Sequence, residues 1–148
     1  MSTRCRIGIQ NKDGTITSVY CHHDGYPEYV GKCLVDYYKT EDKVKSLMNL
    51  GDMSSLGTEP VGDKDGWDFS KRNYDDYSKC VTYKDRGEDC PAQTSNSVKE
   101  FGALSRDCWG EYTYLFKDGE WYFVANNNRL SLVKNSRGYK TSGFFKKA

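Results

Sequence analysis

Residues 4–21 read RCRIGIQNKDGTITSVYC, two runs of alternating apolar and polar side chains on either side of Lys12-Asp13-Gly14. Alternation with a period of two is the signature of a half-buried strand, and Asp-Gly between two such runs is a strong short-range hairpin signal. Cys5, Ile7 and Ile9 share one face of the first strand, and the second runs from Thr15 to Cys21. A three-residue loop with Gly14 in the left-handed region sets Ile9 opposite Thr17, Ile7 opposite Val19 and Cys5 opposite Cys21. A two-residue Asp-Gly turn instead sets Cys5 opposite His22. The first register keeps the apolar side chains on one face and is the one predicted, because a slip of one residue sends every side chain to the other side. It also brings two thiols into cross-strand contact, read as packed core thiols ahead of a redox pair or metal ligands.

The second strand runs into Tyr20-Cys21-His22-His23-Asp24-Gly25-Tyr26-Pro27, a corner holding both histidines of the chain beside a thiol, a carboxylate and a glycine-proline turn. Pro27 suits the first turn of a helix, where its missing N–H is not needed. Val30, Cys33, Leu34 and Tyr37 then recur at the spacing of one helical face, to about Tyr38. Thr40 is an N-cap for a second helix, with Glu41 and Asp42 at its positive end, Val44, Leu47 and Met48 on one face, and Gly51 ending it. The short link predicts an antiparallel or steeply crossing helix pair laid against the hairpin.

Residues 52–79 are glycine-rich and polar and predict a long surface loop. Asp63-Lys64-Asp65-Gly66-Trp67-Asp68 superficially suggests a calcium loop, but Tyr74 stands where an EF-hand needs its last carboxylate. Trp67, Phe69, Tyr74 and Tyr77 are read as pinning the loop to the core, with a contact surface as the alternative. Residues 79–84 read as a strand, 85–89 as a turn, and 97–104 as a short helix after the Thr94-Ser95-Asn96 capping cluster. A second hairpin follows, residues 109–116 and 120–126 flanking Lys117-Asp118-Gly119. Its turn repeats Lys12-Asp13-Gly14, read as coincidence because Asp-Gly is so common in hairpins. The predicted fold class is α+β: a mainly antiparallel sheet built from two β-hairpins, with a helix pair packed on one face.

At 148 residues the chain has the size of one domain, expected over residues 1–128 with a basic tail over 129–148. Hydrophobic residues make up 36% and aromatics 14%, including twelve tyrosines, so the core is expected to be modest and rich in rings. No run approaches the roughly 18 apolar residues that span a bilayer, and residues 1–6 lack the apolar region of a secretory signal. A cytoplasmic protein with no membrane partner is expected. Six cysteines without any Cys-x-x-Cys spacing are read as free thiols, not as a zinc ribbon or a thioredoxin-like pair. Residues 129–148 carry six basic side chains and no acid, so with the whole chain at +1 the remainder carries −5. That tail is read first as a solvated end. The alternative is a phosphate-facing strip for a nucleotide or nucleic acid, the latter not favoured because no recognition helix or RNP-type strand is visible.

The corner sets the candidate chemistry. Cys21 would act as a nucleophile if His22 or His23 served as its base and Asp24 oriented the imidazole. Adjacent side chains on an extended backbone diverge, so only Cys21 and His23 could share a side. Cys5, Cys21 and His23 could ligate zinc but lack an evident fourth ligand, and no cofactor is expected. The plainer reading has Asp24 and Gly25 making a turn and a histidine hydrogen-bonding it. The candidate ligand or partner contacts are His22, His23, Asp24 and Tyr26 at the corner, Trp67 in the loop, and Arg129 and Arg137 in the tail.

The combination of Arg4-Cys5-Arg6-Ile7, Lys12-Asp13-Gly14, Tyr20 to Glu28 with Val30-Gly31, and Gly51-Asp52-Met53-Ser54-Ser55-Leu56-Gly57 resembles a family of small phage- and prophage-encoded proteins to which no activity is attached. Trp109-Gly110-Glu111-Tyr112-Thr113-Tyr114 with Trp121-Tyr122 resembles their C-terminal hairpin, so the likeness runs to about residue 125. The resemblance implies an accessory product in the host bacterial cytoplasm, where small phage proteins bind and disable host machinery or capture host signals. The expected function is therefore a non-enzymatic binding protein that engages a host protein or sequesters a nucleotide-like ligand, in host takeover or counter-defence. The alternatives are a small Cys/His-dependent hydrolase or transferase and a zinc-stabilised interaction domain. A flat aromatic hairpin edge would suit a homodimer, and equally a covered edge.

Overall fold

The computed structural model describes residues 2–73 and 75–125. Strand β1 (Cys5–Gln10) pairs antiparallel with β2 (Ile16–Cys21) in the predicted register, Cys5 opposite Cys21, Ile7 opposite Val19 and Ile9 opposite Thr17. Gly14 lies at φ +90°, and the Asn11 N–H donates to the Thr15 carbonyl at 2.7 Å, closing the three-residue loop.

One π-helical turn at Pro27–Gly31 leads into α1 (Lys32–Tyr37). Val30, Cys33 and Leu34 face the core as their spacing predicts, but Tyr38 rather than Tyr37 completes the stripe. Tyr38 is fully buried and its hydroxyl donates to the Gly57 carbonyl at 2.7 Å, whereas Tyr37 is 49% exposed. A π turn has more residues than an α turn, and Tyr38 leaves the helix at φ −113°, ψ 68°. A strict 3.6-residue period counted from Val30 therefore misplaces the last side chain. Helix α2 (Glu41–Asn49) starts where predicted: the Thr40 hydroxyl accepts the Lys43 N–H at 3.2 Å, and Val44, Leu47 and Met48 are buried. Gly51, at φ +76°, turns the chain out of it with the Cys90 carbonyl packed where a side chain would stand.

The chain continues as β3 (Met53–Ser55), β4 (Val81–Thr82), β5 (Gln93–Ser95), α3 (Val98–Asp107), β6 (Tyr112–Lys117) and β7 (Glu120–Ala125). The described strands form one mostly antiparallel sheet in the order β4-β3-β2-β1-β6-β7, with β5 also on β2 beside Ile16–Ser18. The two hairpins meet through a parallel pair, β1 with β6, which sets Cys5 beside Tyr112 and Ile9 beside Phe116. This is a mixed α+β fold.

Helices lie on both sides of this sheet. Val30 and Leu34, with Val44 and Leu47 of α2, pack with Ile7, Ile9, Tyr114, Phe116 and Trp121 in the main core. On the opposite face Phe101 of α3 packs with Ile16, Leu115 and Val124, its ring lying where a side chain on Gly8 would come within 2.8 Å. The expectation of a helix pair on one face left the side of the third helix open, and the alternation of β1 decides it by offering Gly8 to the second face as the seat for a ring. Helix α3 is capped by Ser97, whose hydroxyl accepts the Glu100 N–H at 3.1 Å, rather than by residues 94–96, of which Thr94 and Ser95 belong to β5.

The expected surface loop over residues 52–79 also needs correction at its start, where Met53, Ser54 and Leu56 are buried. Three strand residues are too few to show a period, and what buries them is pairing with the corner. The expected strand over 79–84 shortens to β4 and a 3₁₀ turn at Lys84–Arg86. Tyr74, Asn126, the boundary at 128 and the tail over 129–148, with Arg129 and Arg137, lie outside the described residues.

Candidate functional site

The corner is fixed by backbone before its side chains enter. The His22 N–H donates to the Met53 carbonyl at 3.1 Å and the His23 N–H to the Ser54 carbonyl at 2.9 Å, so β3 extends the pairing past Cys21. The Gly25 N–H donates to the Thr3 carbonyl at 2.8 Å, and the Gly25 carbonyl accepts the buried Tyr114 hydroxyl at 2.7 Å. A Cβ on Gly25 would stand 2.8 Å from Cys5 Cβ and from the Thr3 carbonyl oxygen, so the close approach requires glycine. Asp24 beside it takes a left-handed conformation, φ +58°, which short polar residues tolerate.

On this frame the two imidazoles sit together at the surface, ring centroids 4.6 Å apart and edge to face. The Tyr20 hydroxyl lies 2.6 Å from His22 Nδ1, and the Ser2 hydroxyl 3.1 Å from His23 Nδ1. Partial burial, with His23 and Arg4 nearby, lowers the His22 pKa below its ordinary 6.5, so His22 is neutral at physiological pH. Burial pushes the Tyr20 phenol up to about 12 against the opposing pull of Arg4. Asp52 accepts the Tyr20 N–H at 2.9 Å, and its carboxyl is raised by burial against the lowering effects of that bond and of Arg6. Tyr26 is 36% exposed and its hydroxyl donates to Asp24 Oδ1 at 3.4 Å.

Cys21, His23 and Asp24 each have separate partners. Cys21 is fully buried and its thiol donates to the His23 carbonyl at 3.5 Å, the His23 ring turns to Ser2, and the Asp24 carboxylate takes Tyr26. Cys5, facing Cys21 across the sheet, has its thiol pushed well above the ordinary value by burial and by Cys21 itself. A thiol nucleophile needs a lowered pKa and access to solvent, and this pair sits inside the core. Among the described residues no group of three His, Cys, Asp or Glu side chains is placed to hold a metal ion.

Trp67 makes its contacts elsewhere. Its Nε1–H donates to the Thr82 carbonyl at 2.8 Å, its ring lies 5.4 Å from that of Tyr83, and the Arg86 guanidinium sits 3.9 Å over it. Phe69 and Tyr77, expected to pin the same loop, are 84% and 61% exposed.

Sequence reasoning missed two features. Tyr20 and Asp52 support the histidine corner, and Asp52 stands where the sequence predicts the end of a helix and the start of a loop. At the opposite end of the first hairpin a cleft of about 530 Å³ opens between the two hairpin turns, lined by Lys12 and Gly14 of one, Lys117, Asp118 and Gly119 of the other, and Lys39 before α2. The repeated Lys-Asp-Gly was its one sequence signal.

No protein-family model matches the chain, and no curated protein or solved structure matches it either. Among the described residues no helix is long and apolar enough to cross a membrane.

Proposed function

We propose that this chain is a non-enzymatic binding protein, phage-encoded and working in the host bacterial cytoplasm, that engages a host protein or holds a nucleotide-like ligand through the corner. The observation that carries this reading is the division of the corner into a buried thiol and a surface pair of hydroxyl-anchored imidazoles. Rings held by hydrogen bonds on a fixed backbone lose little freedom on contact with a partner, which is what a recognition surface requires. A neutral His22 can donate or accept a hydrogen bond and can stack, while among the described residues no carboxylate is hydrogen-bonded to it to orient it as a base.

The test is capture from bacterial lysate and native mass spectrometry, comparing Cys21→Ser with the double variant His22→Ala/His23→Ala. Cys21→Ser is expected to keep whatever the wild type retains, and the double variant to lose it by at least about tenfold, the cost of roughly one buried contact. Loss of function in Cys21→Ser with folding intact would overturn the reading in favour of thiol chemistry.

His22 also gives the corner a pH dependence. Because its folded pKa lies below the unfolded value, its contribution to stability is present above about pH 6.5 and is lost as pH falls through the lowered value. Thermal unfolding from pH 7.5 to 5 is expected to show that loss, reduced in His22→Gln.

A further inference from the structure

We propose that the cleft between the two Lys-Asp-Gly turns binds a small ligand carrying two or more phosphate charges, held by Lys12, Lys39 and Lys117. Hairpin tips more than a hundred positions apart are brought together because β1 and β6 run parallel, with Ile9 beside Phe116, so both turns emerge at the same end of the sheet. Lys39, in the link between α1 and α2, supplies the third ammonium to the same space, and the first turn of α2 borders it through Glu41.

The charges of the lining do not balance. Glu41 is already paired with Lys45 at 3.0 Å. Asp13 turns away to accept the Thr15 N–H and hydroxyl, at 3.0 and 2.6 Å, and is not part of the lining. Asp118 remains as the one lining carboxylate without an ion pair among the described residues, against three lysines that likewise have none. Three lysines line one cleft against a single carboxylate that has no ion pair among the described residues, so their fields add there, and an anion placed among them relieves the repulsion. Lysine binds phosphate as a point charge on a flexible stem, which suits a site built from turns.

Size and floor fit a small molecule. The cleft of about 530 Å³ falls within the range of roughly 300–1,000 Å³ usual for small-ligand sites. Ile9 and Phe116, side by side across β1 and β6, also line the cleft and, although the core leaves them only 1% and 4% exposed, give it a narrow apolar seat for the part of the ligand that is not phosphate. Inorganic polyphosphate and nucleotides share this chemistry and differ in whether that seat is used.

Isothermal titration of the full chain at low ionic strength, with inorganic pyrophosphate and separately with ADP, tests the proposal. Saturable one-to-one binding is expected, weakened at least tenfold in Lys12→Gln/Lys117→Gln and less than twofold in Lys99→Gln, an exposed lysine of α3 outside the cleft. Tighter binding of ADP than of pyrophosphate would assign the ligand to nucleotides, and equal binding to inorganic polyphosphate. Absence of saturable binding by both probes overturns the proposal, as does an equal loss in Lys99→Gln, which would mark unspecific charge attraction. The inference does not rest on the histidine corner, so failure here with the corner's capture experiment intact removes the cleft alone.

Discussion

The tripeptide Lys-Asp-Gly occurs at 12–14 and again at 117–119, and it folds in two different ways. In the first hairpin all three residues form the loop, Asp13 caps Thr15, and Gly14 alone has a positive φ. In the second, Lys117 joins the strand opposite Glu120, and Asp118 and Gly119, at φ +52° and +79°, form a two-residue turn of the type that matches strand twist. The flanking side chains make the difference. Three loop residues at the second turn would set Phe116 opposite Glu120 and move Trp121 to the other face. Two residues set Phe116 opposite Trp121, with ring centroids 5.1 Å apart in the main core. At the first turn the same logic runs the other way, because two loop residues would set Cys5 against His22. A turn sequence permits several geometries, and burial of the strand pattern chooses among them.

The largest expected effect comes from removing the side chain that fixes the second register. Trp121→Ala leaves a cavity and an unpaired Tyr38 carbonyl, which now accepts the Trp121 Nε1–H at 2.9 Å. Urea unfolding should show a loss of about 3–5 kcal/mol, and a loss under 1 kcal/mol would mean that Trp121 does not anchor the hairpin.

Next come the glycines. Gly14→Ala and Gly119→Ala each place a side chain at positive φ with open space around it, so strain alone acts. Both should cost about 1–2 kcal/mol by the same assay, and a clear inequality would show that one turn relaxes where the other cannot.

Deleting Lys12 should cost least, about 1 kcal/mol or less. It leaves Asp13-Gly14 as a two-residue turn while Asn11 still faces Thr15, converting the first hairpin to the second's geometry without moving Cys5 from Cys21. Loss of folding on this deletion would refute the claim that strand pattern rather than turn sets register.

A difference in acid response sharpens the same comparison. Hydrogen bonds from Thr15 lower the Asp13 carboxyl below its ordinary value. Its folded pKa lies below the unfolded one, so its contribution is full above the usual carboxylate range and lost as pH falls through the lowered value. Asp13→Asn should flatten that part of a melting-temperature profile between about pH 5 and 2, and an unchanged profile would remove the cap from the account.

Much of the frame was legible because its causes are local. The register of the first hairpin follows from alternation, the start of α2 from the Thr40 hydroxyl, and its end from Gly51. The candidate site was legible in part. His22, His23, Asp24 and Tyr26 share one corner as their adjacency required, but Cys21 turned inward, and Trp67 settled against Thr82, Tyr83 and Arg86. Asp52 went unread as a partner of Tyr20 because a single hydrogen bond across thirty-two positions leaves no pattern in the chain.

The sequence by itself determined the strands of the two hairpins and the presence of the three helices, where two helices begin, and which residues of the first hairpin face each other. Each of these is settled by side-chain period or by hydrogen bonds reaching only a few residues. The tertiary structure alone decided that β1 lies parallel to β6, that residues 53–55 and 93–95 join the sheet, with Met53 beside Cys21, that Phe101 sits over Gly8, and that Lys12, Lys39 and Lys117 share a cleft. Backbone N–H and carbonyl groups are alike in every strand, so which edges join is chosen by the apolar area that joining buries, a property of two surfaces that neither segment carries alone.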